Sequence, residues 1–214
     1  MNRNILIAGF LVAACVSNAA VIRGASSVLS NTGGEFSGGG ELAWALNEAG
    51  LYTPYNNGVD DYDAYLGTNP LHNFGFFNQE WFTPSGTHTA TVVLDMGADY
   101  MMSGMAFWNE DAAGTARVSV TTSLNADMSG GTFQGTLSPT PGSSGVDYGA
   151  DDFRWTAMGA RYVQLDLFGP IDASAWDGIA VGEIAFRTEA VPEPVSMVAL
   201  GAGLIGLIAK RRRK

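Results

Sequence analysis

The stretch NNGVDDYD, residues 56–63, gathers Asn56, Asn57, Asp60, Asp61 and Asp63 in one turn-rich segment. Calcium takes six to eight oxygen ligands, and a run of this composition supplies carboxylate and carbonyl oxygens at short range. The spacing is not that of an EF-hand loop, and a solvated acidic turn is the plain alternative. Tryptophans are the second kind of candidate, because an exposed ring stacks on the apolar face of a pyranose. Trp176, in DASAWDG, stands among small and acidic residues before a strand, and Trp81, in NQEWFTP, lies in another turn-rich context. Trp44 and Trp108 have apolar neighbours that suit a core, and Trp155 is open between the two roles. Structural packing competes with sugar stacking at each of them.

Catalytic chemistry finds little support. The adjacent carboxylates Asp60–Asp61, Glu110–Asp111 and Asp151–Asp152 make no acid–base couple by themselves, because neighbours on a strand face opposite ways. His72 and His88 stand in no metal-binding spacing and are expected in surface loops. There is no Gly-x-Ser-x-Gly elbow, and SGGG follows no strand that would make it a phosphate cradle. A hydrolase is therefore the weakest reading. The single cysteine, Cys15, leaves residues 21–190 without a disulfide, a thiol nucleophile or a sulfur metal ligand. That stretch carries five arginines (Arg23, Arg117, Arg154, Arg161, Arg187), no lysine, and all of the 21 acidic residues except Glu193, a net charge of -15. Such a body repels nucleic acid and anionic lipid. It suits a soluble exported protein, or one that holds cations.

The two ends are addresses. Arg3, an apolar run from Ile5 to Val16 and the small residues of SNAA form a secretory signal, with signal-peptidase cleavage after Ala19 or Ala20. VAAC, residues 12–15, also resembles a lipobox, in which Cys15 would be lipidated. At the other end, Val195 to Ala209 is an apolar run of 15 residues, shorter than the ~17–25 of a spanning helix. The cluster Lys210, Arg211, Arg212, Arg213 and Lys214 holds the cytoplasmic side, so the body lies across the membrane.

Val191-Pro192-Glu193-Pro194, the Gly-rich apolar helix and the basic cluster together resemble the PEP-CTERM sorting signal of Gram-negative bacteria. The resemblance implies recognition by the membrane protease-transpeptidase exosortase. Cleavage near the Pro-Glu-Pro motif then releases the protein to the cell surface or matrix. An ordinary C-terminal anchor gives the same topology but leaves the protein in the membrane.

Between these ends, residues 21–190 read as one domain of short strands. TATVVLD (89–95), ARVSVTT (116–122) and RYVQLDL (161–167) alternate apolar and polar residues. MSGMAFW (102–108) and IAVGEIAF (179–186) read as strands buried more fully, and ELAWALNEAG (41–50) as a short helix. Frequent turn signals and few helices predict an all-β sandwich or jelly roll. Four stretches in order resemble the discoidin, or coagulation factor C-type, galactose-binding-like domains: GASS (24–27), ATVVLDMGADYMMSGMAFWN (90–109), ARVSVTTSLNAD (116–127), and the closing GARYVQLDL and GIAVGEIAF. That resemblance implies a galactose-binding-like jelly roll with a structural calcium, held by an early loop and a last-strand glutamate, here Glu183. It implies a non-catalytic carbohydrate-binding module that meets extracellular polysaccharide. The alternative is a structural envelope or biofilm protein acting through protein contacts.

Overall fold

The computed structural model describes residues 19–75 and 78–191. Cys15 and the signal segment, Pro192, Glu193 and Pro194, the apolar run and the basic cluster lie outside the described residues.

Eight strands are described: β1 (Val21–Arg23), β2 (Ser27–Asn31), β3 (Trp81–Phe82), β4 (Thr89–Asn109), β5 (Arg117–Ser123), β6 (Thr132–Leu137), β7 (Ala150–Phe168) and β8 (Ala180–Ala190). All their pairings are antiparallel, in the order β1-β8-β4-β7-β5-β6, with β2 on β4 and β3 on β8. The long strands β4 and β7 run through both layers of the sandwich. The first part of β4, with residues 162–168 of β7, joins β2, β5 and β6; its second part joins β8, and through it β1 and β3. The passage between layers falls where the ladder slips, between Asp95 and Tyr100. Gly97 sits there at φ +84°, a backbone state open to glycine at little cost.

The period-two pattern decides what faces inward in the first layer. Val92, Leu94 and Met96, Val118 and Val120, and Val163, Leu165 and Leu167 all enter one core. Outside, the Thr91 hydroxyl donates to Asp166 at 2.7 Å. The second layer is apolar on both sides. Met105, Phe107, Ile184 and Phe186 face the sandwich interior, while Ala106, Trp108 and Ala185 face a second cluster with Ile22, Leu51, Tyr55, Tyr62 and Tyr65. Segment 47–75 covers this outer face, which is why MSGMAFW and IAVGEIAF lack alternation. The expected helix at 41–50 is a 3-10 turn over Leu42–Leu46. The acidic stretch ends in a helix the sequence reading did not contain, α1 (Tyr62–Gly67), capped by Asp61, whose carboxylate accepts from the Ala64 amide at 2.7 Å.

Candidate functional site

The structure gives the three aspartates separate tasks. Asp60 accepts from the Asn56 amide at 2.8 Å and from its side chain at 3.1 Å, bonds that hold its carboxyl below the usual range. Asp61 caps α1. Asp63 accepts from Arg154 at 2.6 Å and from Arg187 at 3.1 Å, and these bonds lower its pKa despite some burial.

Glu183 stands apart from them, 0% exposed, because it shares the face of Ala185 and lies under segment 47–75. One of its oxygens accepts from the Glu48 amide at 3.0 Å, and the other has no hydrogen-bond partner among the described residues. Burial, then repulsion from Glu48, drives its pKa well above the ordinary value. The Tyr55 hydroxyl nearby is also buried without a hydrogen-bond partner among the described residues. The four-carboxylate set Asp60, Asp61, Asp63 and Glu183 is therefore not assembled as one site: salt bridges and capping claim two of its members. Among the described residues no group of three or more His, Cys, Asp or Glu side chains is placed to hold a metal ion.

Burial corrects the Trp81 candidate. Trp81 is 0% exposed in the main core, and its indole N–H donates to the Gly34 carbonyl at 3.0 Å. Trp176 is half-buried, edge-on to Phe36 and Phe82, and its N–H donates to the Thr83 carbonyl at 3.1 Å. Trp155 donates to the Met102 carbonyl at 3.1 Å and packs against the core.

The exposed rings are elsewhere. Among the described residues, Phe133 is 62% exposed, Tyr52 59% and Phe74 48%, and the last two lie together. The Asp147 carboxylate joins them, accepting from the Tyr52 hydroxyl and from the Phe74 amide, each at 3.3 Å. Two exposed aromatic residues, one tied by its side chain and one by its backbone to a single carboxylate, make a candidate platform with apolar surface for stacking and a polar group beside it. A cavity of about 280 Å³ lies between α1 and β7, with Gly67, Asn69 and Pro70 in its wall.

Under the platform is a buried polar cluster. His72, expected at the surface, is fully buried. Its Nδ1–H donates to the Asn73 carbonyl at 2.8 Å, and its other nitrogen has no partner. Desolvation lowers its pKa. Glu80 is equally buried and accepts a hydrogen bond from the Tyr148 hydroxyl. Burial pushes its pKa up to about 9. Glu110 spends one oxygen on the amides of Ala112, Ala113 and Gly114, so its role is to fix a turn. His88 alone is a surface histidine, paired with Asp177 at 2.7 Å.

This antiparallel β-sandwich is similar in fold to several solved domains. The C-terminal domain of a chitobiase from Bacteroides fragilis is 14% identical, with 77% of this chain and 94% of that chain covered and a TM-score of 0.51. The family 32 carbohydrate-binding module of Streptococcus pneumoniae EndoD is 12% identical over 81% of this chain and all of that chain, TM-score 0.49. That of C. perfringens NanJ, solved with galactose, is 8% identical over 78% and 99%, TM-score 0.49. No curated protein sequence matches. Residues 190–214 match the PEP-CTERM protein-sorting motif. The chain thus joins a β-sandwich of this fold to a motif that implies export, membrane-anchored sorting and exosortase processing.

Proposed function

We propose that this is a non-catalytic surface or matrix protein of a Gram-negative bacterium, whose β-sandwich binds extracellular polysaccharide after exosortase delivery. The observation that carries the reading is the open platform of Tyr52 and Phe74 around Asp147. Solvated rings cost free energy to leave uncovered, and sugar faces are natural covers. Polysaccharide pull-down with the wild type and with Tyr52→Ala and Phe74→Ala tests it. Retention that falls by about tenfold in either variant, about 1.4 kcal/mol, supports it. Retention unchanged in both rejects the platform.

Calcium belongs to the same proposal, with a changed ligand set. Glu183, with its unpartnered oxygen, and Glu48 would hold the ion, and Tyr55 and the Leu46 carbonyl, both next to Gly24, are the adjacent oxygens. A buried carboxylate without a counter-charge is the chemistry that a divalent cation relieves. The ion would tie segment 47–55 to β8 and so steady the platform.

A further inference from the structure

The cavity beside α1 has the walls of a ligand site. Asp63, Asp152, Arg154 and Asn69 supply its polar groups, and Leu66 and Pro70 part of its apolar lining. The polar groups are fixed in place. Arg154 is clamped to both oxygens of Asp152 through Nε, at 2.8 and 2.9 Å, and to Asp63 at 2.6 Å. Its guanidinium lies 5.1 Å from the centre of the Tyr62 ring, and the Tyr62 hydroxyl donates to Asp152 at 3.0 Å. Arg187 gives Asp63 a second cation. Preorganised polar groups around an apolar surface are what orient a small polar ligand. The volume lies near the lower end of ligand pockets, ~300–1,000 Å³, and so fits a single sugar ring better than a larger cofactor.

One chain segment connects the cavity and the aromatic platform. Segment 69–74 lines the cavity with Asn69 and Pro70 and carries Phe74 at its far end. On the chain leading into β7 the order repeats, with Asp147 at the platform and Asp152 in the cavity. Four residues lie between them, and the five steps span at most about 17 Å of extended chain.

We infer that the cavity is a second subsite for the same polysaccharide: one pyranose enters beside Asn69 and Arg154 while another stacks on Tyr52 and Phe74. The sugar is neutral or amino-bearing. Arg154 and Arg187 are already matched by Asp63 and Asp152, so no unmatched cation is left among them for a uronate. The net charge of -15 on residues 21–190 repels polyanions at longer range. This inference rests on the carbohydrate-binding reading.

Gly67 allows a test that spares the fold. It lies on the cavity wall at the end of α1, and a Cβ added there meets nothing within 4 Å. Gly67→Leu adds a bulky side chain at the cavity wall, while Gly67→Ala adds only a methyl group. Purified full-length protein is titrated calorimetrically with cello-, galacto- and N-acetylchito-oligosaccharides from disaccharide to hexasaccharide, and with alginate oligomers. Both variants are expected to melt with the wild type. Expected is tighter binding of the longer neutral or amino-bearing chains, cut on the order of tenfold by Gly67→Leu and left intact by Gly67→Ala. Wild-type binding that Tyr52→Ala abolishes and Gly67→Leu leaves untouched overturns the subsite and keeps the binding function. Alginate bound more tightly than any neutral chain overturns the ligand class. Binding of no glycan by the wild type removes both proposals.

Discussion

Replacing Glu80 by glutamine should stabilise this protein, and more so as the pH rises. Glu80 is fully buried, and its carboxyl is raised to about 9 by desolvation first, with the Tyr148 hydrogen bond opposing and Glu110 and Asp111 adding to the rise. In the unfolded chain it ionises near the ordinary 4.5. Between those values the folded state keeps a proton that the unfolded state has released. Unfolding is therefore increasingly favoured as pH rises, by about 1.4 kcal/mol per pH unit for this one group. From about pH 6 to about pH 8 that amounts to about 2.7 kcal/mol, a large part of the ~5–15 kcal/mol stability of a domain. Glutamine keeps an oxygen for the Tyr148 hydroxyl and has no proton to lose. His72, which sits 3.7 Å away and is held neutral by burial, is common to both proteins, as are Glu110 and Glu183. Their contributions therefore largely cancel in the difference. Urea denaturation of both proteins at several pH values reads the effect as a stability gap that widens with pH. A gap that stays constant would mean that Glu80 is ionised inside the fold, and the reasoning about its desolvation would fail.

Two other outcomes follow from the geometry. Millimolar calcium should raise the melting midpoint of the wild type, because a ligand of the folded state alone stabilises it; Glu183→Gln should lose most of that shift, whereas Asp61→Asn should keep it, and the reverse pattern would return the ion to the acidic loop. Asp61→Ala should cost about 1 kcal/mol in chemical denaturation through loss of the α1 cap, with Asp61→Ser recovering most of it; equal losses in both would assign Asp61 some role other than capping.

Much of the sandwich was legible because its signal is local. Val163, Leu165 and Leu167 alternate in the sequence as they do across the core, and the runs around Met105 and Ile184 lack alternation because that layer is covered on both sides. The site was harder to read, because burial is decided by chain that arrives from far away. Trp81 and Trp176 look like loop aromatics until Gly34, Thr83 and Phe36 close on them. Asp63 looks like a calcium ligand until Arg154 and Arg187, far along the sequence, take its oxygens. Tyr52 and Phe74 lie in a segment with no periodicity, so nothing in their spacing separates them from core residues such as Tyr55 and Tyr65. His72 differs from His88 for the same reason: Gly50 and Tyr148 pack against one of them, and water surrounds the other.

The pairing of β1 with β8 sets how the domain carries load. Val21 lies opposite Thr188 and Arg23 opposite Phe186, so residues entering and leaving the fold emerge side by side from one edge of the sheet. Tension applied across the two ends does not shear these strands along their length. It peels the three-residue β1 from its neighbour one contact at a time, and the Ala20 carbonyl's bond to the Tyr62 amide goes with it. A pull between the C-terminal end and a glycan held on Tyr52 and Phe74 runs a different course. It enters through β8, which is flanked by both β1 and β4, and loads many hydrogen bonds together. On the proposed glycan reading, the same domain would be weak as a link between its own termini and strong as a link to a bound polysaccharide.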